Sequence, residues 1–117
     1  MTSPEIGGII EKMNSKELIE AVWRKAQPVP NNNPNVFRQD YAGAWIRRED
    51  FGKGTLYGWA IDHILPKSMG GTDDIDNLIP VQHVNNMMRA NRYPRWQTKV
   101  TASGNLNEEC IRNWYVD

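Results

Sequence analysis

An aspartate and a histidine stand side by side, Asp62 and His63, at the end of the apolar run Trp59-Ala60-Ile61. Ile64-Leu65-Pro66-Lys67-Ser68 and the pair Gly70-Gly71 follow, then Asn77-Leu78-Ile79-Pro80, then Asn85-Asn86. A histidine with its ordinary pKa near 6.5 can take a proton from water at neutral pH. Carboxylate and amide oxygens are suitable ligands for a hard divalent cation. Together they are the equipment of metal-assisted phosphodiester hydrolysis. Neighbours on a strand point to opposite faces, so Asp62 and His63 are expected to serve different tasks, Asp62 on a cation and His63 on a water molecule.

The elements that must position these groups read as an α+β arrangement. Asn14 followed by Glu17 is a capping-box pattern, and Leu18, Ile19, Ala21, Val22 and Lys25 give a mostly apolar helical stripe. The spacing predicts a helix over 14–26, ended by Pro28 and Pro30. Gln27–Asn35 reads as a linker or extended arm, so residues 1–35 form an N-terminal helix and linker packed on or beside a unit spanning 36–117. Val36–Tyr41 reads as a short turn or helix, and Ala44–Arg47 as a strand. The Gly52 and Gly54 region is a turn, and Leu56–Ile61 is the partner strand. Pro66–Asn77 is a loop of about a dozen residues, long enough to be functional. A second helix is expected over 81–91, after Pro80 and before Pro94. The tail, with Trp96, Val100, Leu106, Ile111, Trp114 and Tyr115, has enough apolar content to pack back on the core. The five tryptophans are expected to be mostly core residues.

The string from Asp62 to Ser68, with Gly70-Gly71, Asn77-Leu78 and Asn86, resembles the HNH family of ββα-metal endonucleases. Asn77 follows His63 by 14 residues and Asn86 follows Asn77 by 9, offsets similar to those between the family's signature positions. The resemblance runs from about Val36 to Pro94. It implies a ββα-metal finger, a β-hairpin plus helix, padded by the N-terminal helix and a C-terminal segment. It implies His63 as general base and Asn77 as the residue that orients it through the hairpin backbone. Asp62 and Asn86 would bind one divalent cation. With Asn86 in place of a histidine this is an HNN variant of a small stand-alone member, and an amide ligand favours Mg²⁺ or Mn²⁺ over softer metals. Ala60 departs from members that carry a carboxylate there. His83, three residues before Asn86, is an alternative ligand, and Asn85 is one position from Asn86. Arg89 is expected to hold a phosphate, with Lys67 as a weaker candidate; Arg92 and Arg95 would track the nucleic-acid backbone.

Composition narrows the rest. One cysteine, Cys110, excludes an intrachain disulfide and a cysteine zinc site. No apolar run approaches the roughly 18 residues of a membrane span, and Met1–Glu5 lacks the features of a secretory signal. The expectation is a soluble, cytoplasmic protein. Zero net charge argues against coating nucleic acid by bulk electrostatics. Yet Val81–Thr101 holds Arg89, Arg92, Arg95 and Lys99 with no acidic residue. The expected partner is DNA, cut for a phage, a defence system or a mobile element. A DNase toxin domain would bring an immunity protein. Double-strand cleavage would call for a homodimer or two encounters. Two rivals stand beside this reading: a catalytically degenerate HNH-fold protein that binds nucleic acid or assembles with partners, and a ribonuclease using the same site.

Overall fold

The N-terminal helix α1, Ser15–Trp23, starts where its capping box places it. Asn14 Oδ1 accepts the Glu17 amide at 2.8 Å, and Glu17 Oε1 accepts the Asn14 amide at 3.1 Å. The computed structural model describes residues 13–117, so the first part of the N-terminal segment lies outside the described residues. Val22 and Trp23 are buried, and the Trp23 ring packs on Trp59 with 5.4 Å between ring centres. Phe51 meets the same Trp59 edge-on at 4.9 Å. These rings join Ala26, Ile46 and Leu78 in one core cluster, which binds α1 to the strands through apolar burial.

Three antiparallel strand pairs follow, each a separate two-stranded sheet. The first pairs β1, Phe37–Gln39, with β2, Trp45–Arg47. Residues 37–39 are therefore strand, not a turn or helix, and β2 pairs with them and not with the 56–61 stretch. The cause is local turn chemistry. Asp40 Oδ1 accepts the amides of Ala42 and Ala44 at 3.0 and 2.9 Å, and Gly43 takes φ +83°. The turn closes a local hairpin between β1 and β2.

The second pair sets β3, Trp59–His63, against β4, Leu78–Gln82. β3 starts later than its composition predicts because the chain turns tightly before it. A Cβ on Gly58 would lie 1.9 Å from the Lys53 carbonyl oxygen. β4 takes residues assigned to the start of the second helix. Pro80 sits within it opposite Ile61, tolerated because both strands of a two-stranded sheet are edges. The helix α2 is correspondingly shorter, His83–Arg89, and Gln82 caps it by accepting the amides of Val84 and Asn85.

The third pair is a long hairpin of β5, Arg95–Ser103, and β6, Leu106–Tyr115, with an irregularity between Thr98 and Val100. Asn85 of α2 fills that break: its Oδ1 accepts the amides of Lys99 and Val100 at 2.8 and 2.9 Å. Its Nδ2 donates to the Val100 carbonyl and to Asp40 Oδ2. Asp40 Oδ2 also accepts the Gln82 amide at 2.9 Å. One buried carboxylate thus joins the β1–β2 turn, β4 and α2, and burial pushes its pKa up against those hydrogen bonds. Trp23, Trp45 and Trp59 are buried, whereas Trp96 and Trp114 on the third pair are half-buried. No helix among the described residues is long and apolar enough to cross a membrane.

Candidate active site

β3 delivers Asp62 and His63 to the mouth of the loop that leads to β4. Asp62 pairs in register with Ile79, and His63 with Leu78. The two side chains have different partners, as their alternation requires. Asp62 Oδ1 accepts the His63 amide at 2.9 Å, and Asp62 Oδ2 receives Arg89 Nη1 at 3.0 Å. Burial pushes the Asp62 carboxyl up, and the Arg89 guanidinium opposes it.

His63 turns to the loop. Its Nε2 lies 2.8 Å from Asp73 Oδ1, and Lys67 Nζ lies 2.9 Å from Asp73 Oδ2. The hydrogen bonds from His63 and Lys67 hold the exposed Asp73 carboxyl below its usual range. With Nε2 donating to a carboxylate, the lone pair of a neutral ring lies on Nδ1. Asp73 was not singled out by sequence reading, where it is one of three acids in the stretch 73–76. The signal available was its place after Gly70-Gly71, in the loop that must fold back toward His63.

Asn77 fixes that loop. Its Oδ1 accepts the Leu65 amide at 2.9 Å, and its Nδ2 donates to the carbonyls of Leu65 and Thr72 at 3.1 and 2.8 Å. Its own carbonyl accepts the Ile64 amide at 2.8 Å. One side chain therefore clamps the backbone just after His63 to the backbone just before Asp73. Gly71 is needed at the crossing, since a Cβ there would lie 1.8 Å from the Leu65 oxygen. Lys25, after α1, donates from below to the carbonyls of Ile75 and Leu78.

The remaining predicted residues divide. Arg89 is 1% exposed and its donors are engaged inside the protein, on Asp62, His63 O, Ile64 O and Arg92 O. That corrects its reading as a phosphate contact: it braces the end of β3 against α2. Asn85 is buried and committed to Asp40 and β5, whereas Asn86 is half-buried, and among the described residues its amide has no hydrogen-bond partner. His83 does not fit the role of alternative ligand. Its ring lies against Gly54 and its amide donates to Gly58, at the end of the β3–β4 pair opposite Asp62. Lys67 is exposed beside the His63–Asp73 pair. Arg92 and Arg95 are exposed at the end of α2 and the start of β5.

Among the described residues, no group of three or more His, Cys, Asp or Glu side chains could hold a metal ion. The residues expected to hold a cation are one carboxylate, Asp62, and one amide, Asn86. This fits Mg²⁺ chemistry, in which one or two carboxylates act together with water and phosphate oxygens. Asp62 keeps lone pairs beyond the two that its hydrogen bonds use.

A strand, a clamped loop, a strand and a helix carry an acid–imidazole pair at the first strand's end. Residues 41–95 match the family model of the HNH endonucleases, and this supports an HNH family member. The matched stretch runs from just before β2 to the first residue of β5 and includes Asp62, His63, Asn77 and Asn86. Comparisons with curated proteins and with solved structures find no match.

Proposed function

We propose that this chain is a metal-dependent HNH endonuclease that hydrolyses DNA phosphodiester bonds, with His63 as general base on a ββα-metal finger formed by β3, β4 and α2. The observation that carries the reading is the 2.8 Å His63–Asp73 hydrogen bond beside the half-buried Asp62. Asp73 holds the Nε2 proton, and Nδ1 takes the proton of the attacking water. The water oxygen bonds to phosphorus, the bond to the 3′ oxygen breaks, and that oxygen leaves with a proton from solvent. The products are 5′-phosphate and 3′-hydroxyl ends. Asp62 and Asn86 would hold one divalent cation, Mg²⁺ or Mn²⁺, which supplies charge neutralisation at the scissile phosphate and the leaving oxygen. Arg89 keeps Asp62 in place, and Asn77 keeps the Asp73 loop closed over His63.

The test is plasmid relaxation with Mg²⁺, Mn²⁺ or EDTA, with wild type beside His63→Ala. Metal-dependent nicking that disappears in the variant supports the reading. A wild type that fails to nick with either metal favours the second reading, a degenerate HNH-fold DNA-binding protein. The observations behind that alternative are Ala60, opposite Val81 on β3 where a carboxylate would add a cation ligand, and the hold of Arg89 on Asp62.

A further inference from the structure

A groove of about 840 Å³ opens between the outer side of α2 and the open end of the β5–β6 hairpin. Its volume is in the range of sites that enclose a small organic ligand. Arg92, Arg95, Trp96, Trp114, Tyr115 and Met87 contribute to its lining, and no lining residue is acidic. Arg95 and Tyr115 face each other across the strand pair, as do Trp96 and Trp114. Tyr115 is 69% exposed and Met87 65% exposed, so two large side chains offer apolar surface to whatever enters. The Trp96 and Trp114 indole nitrogens are satisfied internally, on Tyr41 and Thr98, which fixes both rings.

The groove is physically joined to the candidate active site. The Arg89 guanidinium that grips Asp62 lies 4.3 Å from the centre of the Trp96 ring. Trp96 of the groove and Asp62 of the candidate site therefore share one buried arginine as a neighbour.

The geometry points to this groove as a subsite for unpaired DNA nucleotides flanking the scissile phosphate, with phosphates on Arg92 and Arg95 and a base stacked on Tyr115. Positive charge with no acid among the lining residues complements the phosphodiester backbone. Exposed aromatic rings stack on bases whatever their sequence. The choice of an unpaired strand follows from access, because the bases of a duplex are covered by one another and offer a free face only when unstacked. The inference rests on the reading of the chain as one that acts on DNA, and it adds a preference for frayed, flapped or single-stranded flanks.

Binding in EDTA separates this subsite from catalysis. Fluorescence anisotropy would compare a labelled single strand with a blunt duplex of equal length. The expected result is tighter binding of the single strand, weakened about tenfold by Tyr115→Ala and retained by Tyr115→Phe. Arg95→Ala should weaken single-strand binding and lower the salt slope by about one unit. Equal binding of strand and duplex, or a Tyr115→Ala variant that binds the single strand like wild type, would overturn the proposal. Failure of plasmid nicking with single-strand preference intact removes the catalytic reading and leaves the subsite standing. Nicking without single-strand preference does the reverse.

Discussion

Arg89 and Asp62 form a buried ion pair, Nη1 to Oδ2 at 3.0 Å, that joins the last turn of α2 to the end of β3. The same guanidinium also donates to the carbonyls of His63 and Ile64. Replacing it leaves a half-buried carboxylate and two carbonyls without their donor. Arg89→Ala should cost about 3–5 kcal/mol of stability, read by chemical denaturation. A loss below about 1 kcal/mol would mean that the pair contributes little to holding the site. Asp62→Ala leaves the arginine charge buried instead and should be similarly destabilised.

Asp73 acts on His63 from the loop, so its removal should leave the fold intact and slow the chemistry. Asp73→Ala should lower kcat about tenfold with KM little changed, because the imidazole loses the partner that selects its tautomer. Asp73→Asn, whose amide oxygen can still accept from Nε2, should recover much of the rate. Equal losses in both variants would point to the charge of Asp73 and not to its orienting bond.

Gly71→Ala probes the clamp. The new methyl carbon would begin 1.8 Å from the Leu65 oxygen and 3.0 Å from Asn77 Nδ2. The loop must move, at a cost of about 1–3 kcal/mol, and Asp73 moves with it. Nicking should fall together with the unfolding midpoint. By contrast Gly70→Ala strains only a left-handed residue with open space around it, and its effect on nicking should be smaller.

Tyr41, whose phenol oxygen accepts the indole N–H of the Trp96 ring that packs on Arg89, gives a pH prediction. Burial between Trp96 and Trp114 raises its phenol from 10.0 to about 12. The folded state therefore holds this proton more tightly than the unfolded chain. Its contribution is fully present below pH 10 and is lost as the pH rises toward 12. Denaturation midpoints of wild type should fall more steeply over that window than those of Tyr41→Phe. Parallel curves would show that the phenol titrates normally.

The parts of the fold legible in the sequence were those set by short-range rules. The Asn14–Glu17 box placed the start of α1, but the helix ends at Trp23 and not at 26, because Lys25 and Ala26 turn back onto the carbonyls of Val22 and Trp23 before Pro28 is reached. The Asp62-His63 pair, the Gly70-Gly71 loop and Asn77 were singled out because their types and offsets along the chain carry the resemblance to the HNH family. The pairing of β1 with β2 was missed although its turn is local, because a three-residue strand such as Phe37–Gln39 is too short to show alternation and the Asp40–Gly43 turn was not read as one. The last two residues of β4, Val81 and Gln82, were assigned to the helix because Pro80 marks both a strand edge and a helix approach. The β5–β6 hairpin was read only as apolar content, since most of β6 faces solvent and carries little alternation. Arg89 was assigned to phosphate because its distance from Asn86 was visible and its burial was not. Asp73 was hidden among neighbouring acids for the same reason: its value lies in a fold-back of the loop.

Asp40 lies one position before the stretch that matches the HNH endonucleases, Trp23 lies well before it, and nearly all of the β5–β6 hairpin lies after it. Two-stranded sheets of this length are marginal by themselves. A graft of residues 41–95 onto another scaffold would leave Trp59 without the Trp23 ring, Asn85 without its anchor, and the Ala42 and Ala44 amides without their acceptor. The portable unit is therefore larger than the recognisable one: an engineer moving this site would need to carry α1 and the terminal hairpin with it, even though neither contributes a catalytic group.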